Sequence, residues 1–168
     1  MEQRPAIDLL VHSASQLLTL AGGPQRGTAL GALGIIDNGA VAIRGELIVA
    51  TGSTEDLRRS YVAANELSAA GRVVLPGFVD PHTHLVWAGD RAAEFEQRVQ
   101  GASYLEILEA GGGILSTVRR TRFASLETLL SESRPRLRQM LEHGTTTAEA
   151  KTGYGLELEA ELRLLQAI

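Results

Sequence analysis

The apolar run Val73-Val74-Leu75-Pro76-Gly77-Phe78-Val79 leads directly into Asp80-Pro81-His82-Thr83-His84. Read as one strand, such a run has no polar face to offer water, which is the pattern of parallel sheets covered on both sides. Alternate side chains of a strand share a face, so His82 and His84 point the same way and can converge on one ion. Imidazole nitrogens suit zinc, and also iron, cobalt or nickel. Asp80 lies on the same face, either as a further ligand or as a group that orients one. Pro81, which lacks an N–H, marks a chain leaving regular pairing. Two histidines satisfied by hydrogen bonds in a core are the plainer reading of the pattern. Its place at the end of a buried strand favours the metal, because active sites of β/α barrels lie on that face.

The text before this run is β-like. Ile7 to His12 and Gln16 to Leu20 are apolar stretches of strand length, followed by a glycine-dense loop, AGGPQRGTALGAL. In Gly34 to Gly52, the cluster Asp37-Asn38-Gly39 and the pair Arg44-Gly45 punctuate short Val/Ile/Ala runs, which reads as consecutive hairpins. Residues 1–70 are therefore expected to form a small β-sandwich segment, with a short helix capped by Ser53 or Thr54.

The text after it is helical. SYLEILEA has Ser103 at a cap position and Glu106 three residues on, the spacing of a capping box. Ser125 to His143 carries apolar residues at three-four spacing, with Pro135 expected to kink or split the helix and Gly144 to end it. A short strand, TTTAEA, and a helix over Glu157 to Ile168 follow. Strand, helices, strand and helix in that order are the grammar of a parallel α/β fold. Residues 71–168 then read as the first units of a β/α barrel, because a whole one takes about 200 to 250 residues and the chain has 168.

Composition removes several functions. With 20 acidic against 16 basic groups and a net charge of -4, there is no basic stripe for phosphates, which argues against a nucleic-acid partner. Zero cysteines remove a disulfide framework, a zinc finger and a thiol nucleophile, so any metal must be held by histidine and carboxylate. No run approaches the roughly 18 to 20 apolar residues of a membrane span. Glu2 and Asp8 stand where a signal peptide carries cations, so the expected location is the cytoplasm, with no membrane partner.

The segments PGFVDPHTHLVWAGDRAAEFEQRVQGASYLEILEAGGGILSTVRRTR and GTTTAEAKTGYGLELEAELRLL resemble the imidazolonepropionase family of the metal-dependent amidohydrolase superfamily. PGFVDPHTH is the generic part of that likeness; GDRAAEFEQR, GASYLEILEAGGGILSTVR and KTGYGLE narrow it. The resemblance implies hydrolysis of the ring amide of 4-imidazolone-5-propanoate to N-formimidoyl-L-glutamate in histidine degradation. It also implies a (β/α)8 barrel with a β-sandwich built from both ends of the chain, and one zinc or iron ion. Carried over by position, His82 and His84 match the first two metal ligands, and Arg91 and Tyr154 match substrate-binding positions. Further ligands, a histidine and an aspartate, and the acid-base residues are implied beyond Ile168. The chain is therefore expected to be the N-terminal portion of an enzyme, inactive and poorly soluble alone. The implied partner is the small-molecule substrate, and a homodimer is left open.

The residues support those roles on their own terms. A propionate needs a cation, and a guanidinium offers a planar paired clamp; Tyr154, between Gly153 and Gly155, can project from a loop where backbone comes close to a ligand. Their plainer readings are a solvated arginine and a ring that caps the fold. Tyr104 suits pocket lining and helix packing equally well. Lys151, the single lysine, invites comparison with the carboxylated bridging lysine of other amidohydrolases, but the resembled family uses one metal. Gly111-Gly112-Gly113 lacks the ending of a phosphate loop; a mobile loop bringing Arg119, Arg120 or Arg122 to an anion is weighed against a solvated basic segment, which ordinary loop behaviour favours. His12 and His143 read as structural or exposed. Two other functions stay open: another cyclic amidohydrolase or aminohydrolase, for which Arg91 has no propionate to hold, and a non-catalytic binding module or remnant.

Overall fold

The computed structural model describes residues 3–168. The chain divides into two compact units, Met1–Pro76 and Gly77–Ile168.

In the first unit, β1 (Ala6–Leu18), β2 (Ile35–Arg44), β3 (Leu47–Ser53), β4 (Val62–Ser68) and β5 (Val73–Val74) form one mixed sheet in the order β3-β2-β1-β4, with β5 beside β1. The two apolar stretches expected as separate strands are one, bent where His12 and Ser13 oppose the single residue Ala40. Ser13 takes a φ of 59° there, and its N–H donates to Thr54 Oγ1 at 2.8 Å. Asp37-Asn38-Gly39, expected as a turn, lies inside β2. Asn38 takes a φ of 47° within the strand, while Gly39 lies flush against Leu17. The turn at Gly45 does form, with β2 and β3 antiparallel on either side.

The core of this sheet falls into two clusters, and alternation along β2 sends Ala40 and Ala42 to one and Val41 to the other. Ile7, Leu10, Ala40, Ala42 and Leu57 form one, and Ala14, Leu17, Val41 and Ala69 the other. Leu57 belongs to α1 (Thr54–Ser60), whose cap is Ser53, accepting from the Asp56 N–H at 3.1 Å. The second sheet that a sandwich requires is absent among the described residues of this unit.

In the second unit, β6 (Phe78–Thr83) and β7 (Thr145–Ala150) pair in parallel. The run Val73 to Val79 is thus two strands in two units, separated at Leu75-Pro76-Gly77, where Pro76 has no N–H for a ladder. Between β6 and β7 lie α2 (Ala92–Val99), α3 (Tyr104–Glu109), α4 (Ile114–Phe123) and α5 (Leu126–Glu142); α6 (Leu158–Ala167) follows β7. The capping box at Ser103 and Glu106 is complete. Helix α5 runs through Pro135 as one element rather than splitting. One lost backbone hydrogen bond in mid-helix is tolerated in a helix anchored on both sides of the proline, by the fully buried Leu129 and by Arg136. Gly144, with a φ of 92°, ends the helix as expected.

Leu129 of α5 and Leu164 of α6 are both fully buried against Leu85, Val86 and Ala88, which directly follow the histidines. That packing anchors the chain after β6 and holds the site's loop in place. Burial of one such leucine is worth about 1.5 to 3 kcal/mol.

Candidate functional site

A cavity of about 520 Å³ in the second unit is lined by His82, Thr83, His84, Trp87, Gly89, Asp90, Arg91, Thr117, Arg136 and Tyr154. All four residues singled out in the sequence, His82, His84, Arg91 and Tyr154, line it.

His82 stands on the last turn of ladder in β6, and His84 just beyond the strand. Their ring centroids lie 5.7 Å apart at 68°. The two imidazoles converge as alternation requires, and His84 Nδ1 is buried without a hydrogen-bond partner. A buried ring nitrogen left unpaired is costly, and a metal ion or a donor from elsewhere would satisfy it. This fits the donor set a zinc or iron ion takes. Among the described residues, no group of three or more histidine and carboxylate side chains is placed to hold a metal.

Asp80, weighed as a ligand or as a group that orients one, bonds locally beside the histidines. Its Oδ1 accepts from the His82 N–H at 3.1 Å and its Oδ2 from the Thr83 hydroxyl at 2.9 Å. The carboxylate is spent on the backbone turn that carries the histidines. Such local side-chain-to-backbone bonds are what aspartate makes wherever a strand ends.

Arg91 caps α2, and its guanidinium is about half exposed, 3.6 Å from Glu94 Oε2. An ion pair that long and that wet is weak, so the guanidinium is free to turn to a carboxylate in the cavity. Glu94 is itself held by the Gly113 N–H at 3.0 Å, which ties α2 to the glycine loop. Neighbouring Asp90 uses Oδ1 to accept from the Ala92 N–H at 3.0 Å.

Tyr154 lies with its ring 5.0 Å from the His84 ring and 6.4 Å from Trp87. The flanking glycines are there for contact. A Cβ on Gly153, whose φ is 137°, would sit 2.9 Å from His84 Cε1, and one on Gly155 would sit 2.8 Å from the Ala160 Cβ.

Trp87 and Arg136 are cavity residues that the sequence did not reveal. The Arg136 guanidinium carbon lies 3.6 Å over the Trp87 ring, its Nη1 donates to the Trp87 carbonyl at 2.8 Å, and its Nη2 lies 3.2 Å from Glu132 Oε2. Partial burial lowers the Arg136 pKa, against the opposing pull of Glu132. Glu132 also accepts from the Gly89 N–H at 2.8 Å. The i, i+4 spacing of Glu132 and Arg136 was visible, but nothing in a helix repeat shows that its charged face looks onto a tryptophan.

The remaining candidates fall outside the cavity. Tyr104 lines a smaller hollow of about 240 Å³, which Arg91 also borders. Lys151 pairs with Glu149 at 2.6 Å, while its backbone N–H holds the Thr83 carbonyl at 2.8 Å. The arginines of α4 pin loops rather than reach for an anion: Arg119 holds the Gly111 carbonyl, Arg120 that of Asp90 at 3.2 Å, and Arg122 those of Gly155 and Leu156. His143 bonds the Gln139 carbonyl, and His12 lies between Ser13, Arg58 and Glu66.

Comparison with known proteins gives a consistent picture. A family described as Imidazolonepropionase-like composite domain, bacteria, matches residues 39–61. The imidazolonepropionase of Chloroflexus aggregans is 61% identical over 163 residues, which are 96% of this chain and 38% of that protein. That of Herpetosiphon aurantiacus is 49% identical over 164 residues, 98% of this chain and 38% of the relative. The chain thus spans 38% of the length of these relatives. Among solved structures, a zinc-bound adenosine deaminase from Xanthomonas campestris matches with a TM-score of 0.57 at 19% identity, covering 98% of this chain and 32% of that one. Guanine deaminase of E. coli matches at 0.57 and 18% identity, covering 94% and 32%. At such identities the two deaminases speak for the fold alone.

Proposed function

We propose that this chain, which resembles the N-terminal portion of imidazolonepropionases along nearly its whole length, carries the first part of the active site of such an enzyme. The reaction is hydrolysis of the ring amide of 4-imidazolone-5-propanoate to N-formimidoyl-L-glutamate, a step of histidine degradation in the cytoplasm. The observation that carries this reading is the meeting of His82, His84, Arg91 and Tyr154 in one cavity.

His82 and His84 would hold one zinc or iron ion. When bound, such an ion supplies an acidified water and a polarised carbonyl. The chain's own residues bind and orient. The Arg91 guanidinium takes the propionate, which leaves the ring to lie toward the imidazoles. Tyr154, beside His84, closes the cavity over that ring, and the Trp87 face backed by Arg136 keeps water from its far side. A catalytic metal normally has three protein ligands, so a third ligand and the acid-base groups must join from residues other than these. In this reading the parallel pair β6 and β7 begins a (β/α)8 barrel, and the mixed sheet of the first unit is one layer of a sandwich. These 168 residues alone are inactive.

The test is binding of two ring analogues to the zinc-loaded protein by calorimetry. Imidazole-4-propanoate carries the carboxylate, and 4-propylimidazole does not. A charged hydrogen-bonded pair is worth about 1.5 to 3 kcal/mol, so Arg91→Ala should weaken the propanoate about 10- to 100-fold and leave the propyl compound unchanged. Equal effects on both would favour another cyclic amidohydrolase, whose substrate has no propionate for Arg91.

A further inference from the structure

We propose that Arg122 and Glu161 are positioning residues for Tyr154, gripping the backbone of the two residues after it with opposite charges. The Glu161 Oε1 accepts from the Gly155 N–H at 2.6 Å and the Leu156 N–H at 2.8 Å. Arg122 Nε donates to the Gly155 carbonyl at 2.5 Å, and its Nη2 to the Leu156 carbonyl at 3.1 Å. Both polar groups of both residues are thereby engaged by charged side chains. The two come from different helices, Arg122 from α4 and Glu161 from α6.

The loop has reason to need such a grip. Leu156 takes a φ of 53° and Gly153 one of 137°, and a left-handed conformation in a branched-chain residue costs roughly 1–2 kcal/mol unless its surroundings hold it. Charge-assisted hydrogen bonds are roughly twice as strong as neutral ones, and four of them act on four consecutive backbone groups. The carboxylate is kept ionised for the purpose. Burial alone would raise the Glu161 pKa, but the Thr152 hydroxyl and the N–H groups of Leu156, Gly155 and Gly153 outweigh it and lower it. Room for Glu161 exists because residue 155 is glycine: a Cβ there would stand 2.9 Å from Oε1. Neither residue lines the cavity. Their effect on it passes through the Tyr154 ring, set 5.0 Å from His84.

That Tyr154 touches substrate rests on the function proposed above, whereas the grip itself can be read without substrate. An aromatic ring at this distance shifts the imidazole Cε1–H resonance of His84. The protein has four histidines, and His12 and His143 serve as internal controls. In the metal-free chain, with imidazoles neutral, Tyr154→Leu defines the His84 signal without the ring. Glu161→Ala and Arg122→Ala should each carry the His84 signal most of the way to that position and leave His12 and His143 in place. Glu161→Gln, which keeps an acceptor oxygen, should carry it less far. Should the alanine variants disturb His143 as well, Glu161→Gln and Arg122→Lys decide. A His84 signal unmoved in folded variants overturns the proposal. In the analogue-binding assay, the loss caused by Glu161→Gln should vanish in a Tyr154→Leu background. A shifted His84 signal with unchanged analogue affinity would leave the grip standing and remove Tyr154 from the substrate site.

Discussion

Gly153→Ala tests whether the close approach of the Tyr154 loop to His84 shapes the proposed metal site. The new Cβ would lie 2.9 Å from His84 Cε1 and 3.3 Å from Nδ1. Carbon atoms prefer about 3.5–4.0 Å, so the ring must retreat by about 0.6 Å or more. At a φ of 137° the alanine also carries backbone strain of about 1–3 kcal/mol. Gly101→Ala separates the two effects, because Gly101 has a φ of 99° and nothing within 4 Å of its would-be Cβ. Urea unfolding followed by the single tryptophan, Trp87, and zinc titration against a competing chelator are the assays. Both variants should lose about 1–3 kcal/mol of stability. Gly153→Ala alone should also lose zinc affinity, by about 10-fold, the scale on which misplaced ligands act. Wild-type zinc affinity in Gly153→Ala would refute the link between this glycine and the His84 ring.

Two further outcomes follow from the charges around the cavity. Arg136→Ala removes a cation from the Trp87 face and a donor from its carbonyl; it should cost about 2 kcal/mol in urea unfolding and alter Trp87 emission, and lysine, lacking the planar fork, should restore little of it. Glu161 has a lowered pKa in the folded protein, so the unfolded chain binds its proton more readily and folding weakens as pH falls. That contribution is full above the ordinary value of 4.5 and is lost below it. Glu161→Gln should therefore show a shallower loss of stability than wild type as pH falls below 4.5 in acid-titrated urea melts; parallel curves would show that Glu161 does not contribute.

The placement of the candidate residues was legible where it is local. Two histidines at i, i+2 after a strand converge through alternation alone, and Ser53, Ser103 and Gly144 act within one turn of where they stand. What was hidden depends on which elements meet. The run Val73 to Val79 looks continuous, yet β5 joins β1 while β6 joins β7, a choice made by partners rather than by the run. Asp37-Asn38-Gly39 has the composition of a turn but lies within β2, which accommodates a left-handed asparagine. The Arg136 stack and the Arg122 side of the grip join residues more than 30 positions apart, beyond any local pattern. Phe123 at the end of α4 is 91% exposed and Leu158 at the start of α6 77%. Those side chains find no cover among the described residues of their own unit.

If His82, His84, Arg91 and Tyr154 form the first part of an imidazolonepropionase site, joining this chain to the part of the Chloroflexus aggregans enzyme that it does not match should give ring opening of 4-imidazolone-5-propanoate with zinc or iron. Turnover is expected of the joined protein, with its loss in His82→Ala and His84→Ala, and none of the 168 residues alone. A folded, metal-loaded joined protein without turnover, or turnover that survives loss of both histidines, would contradict that assignment.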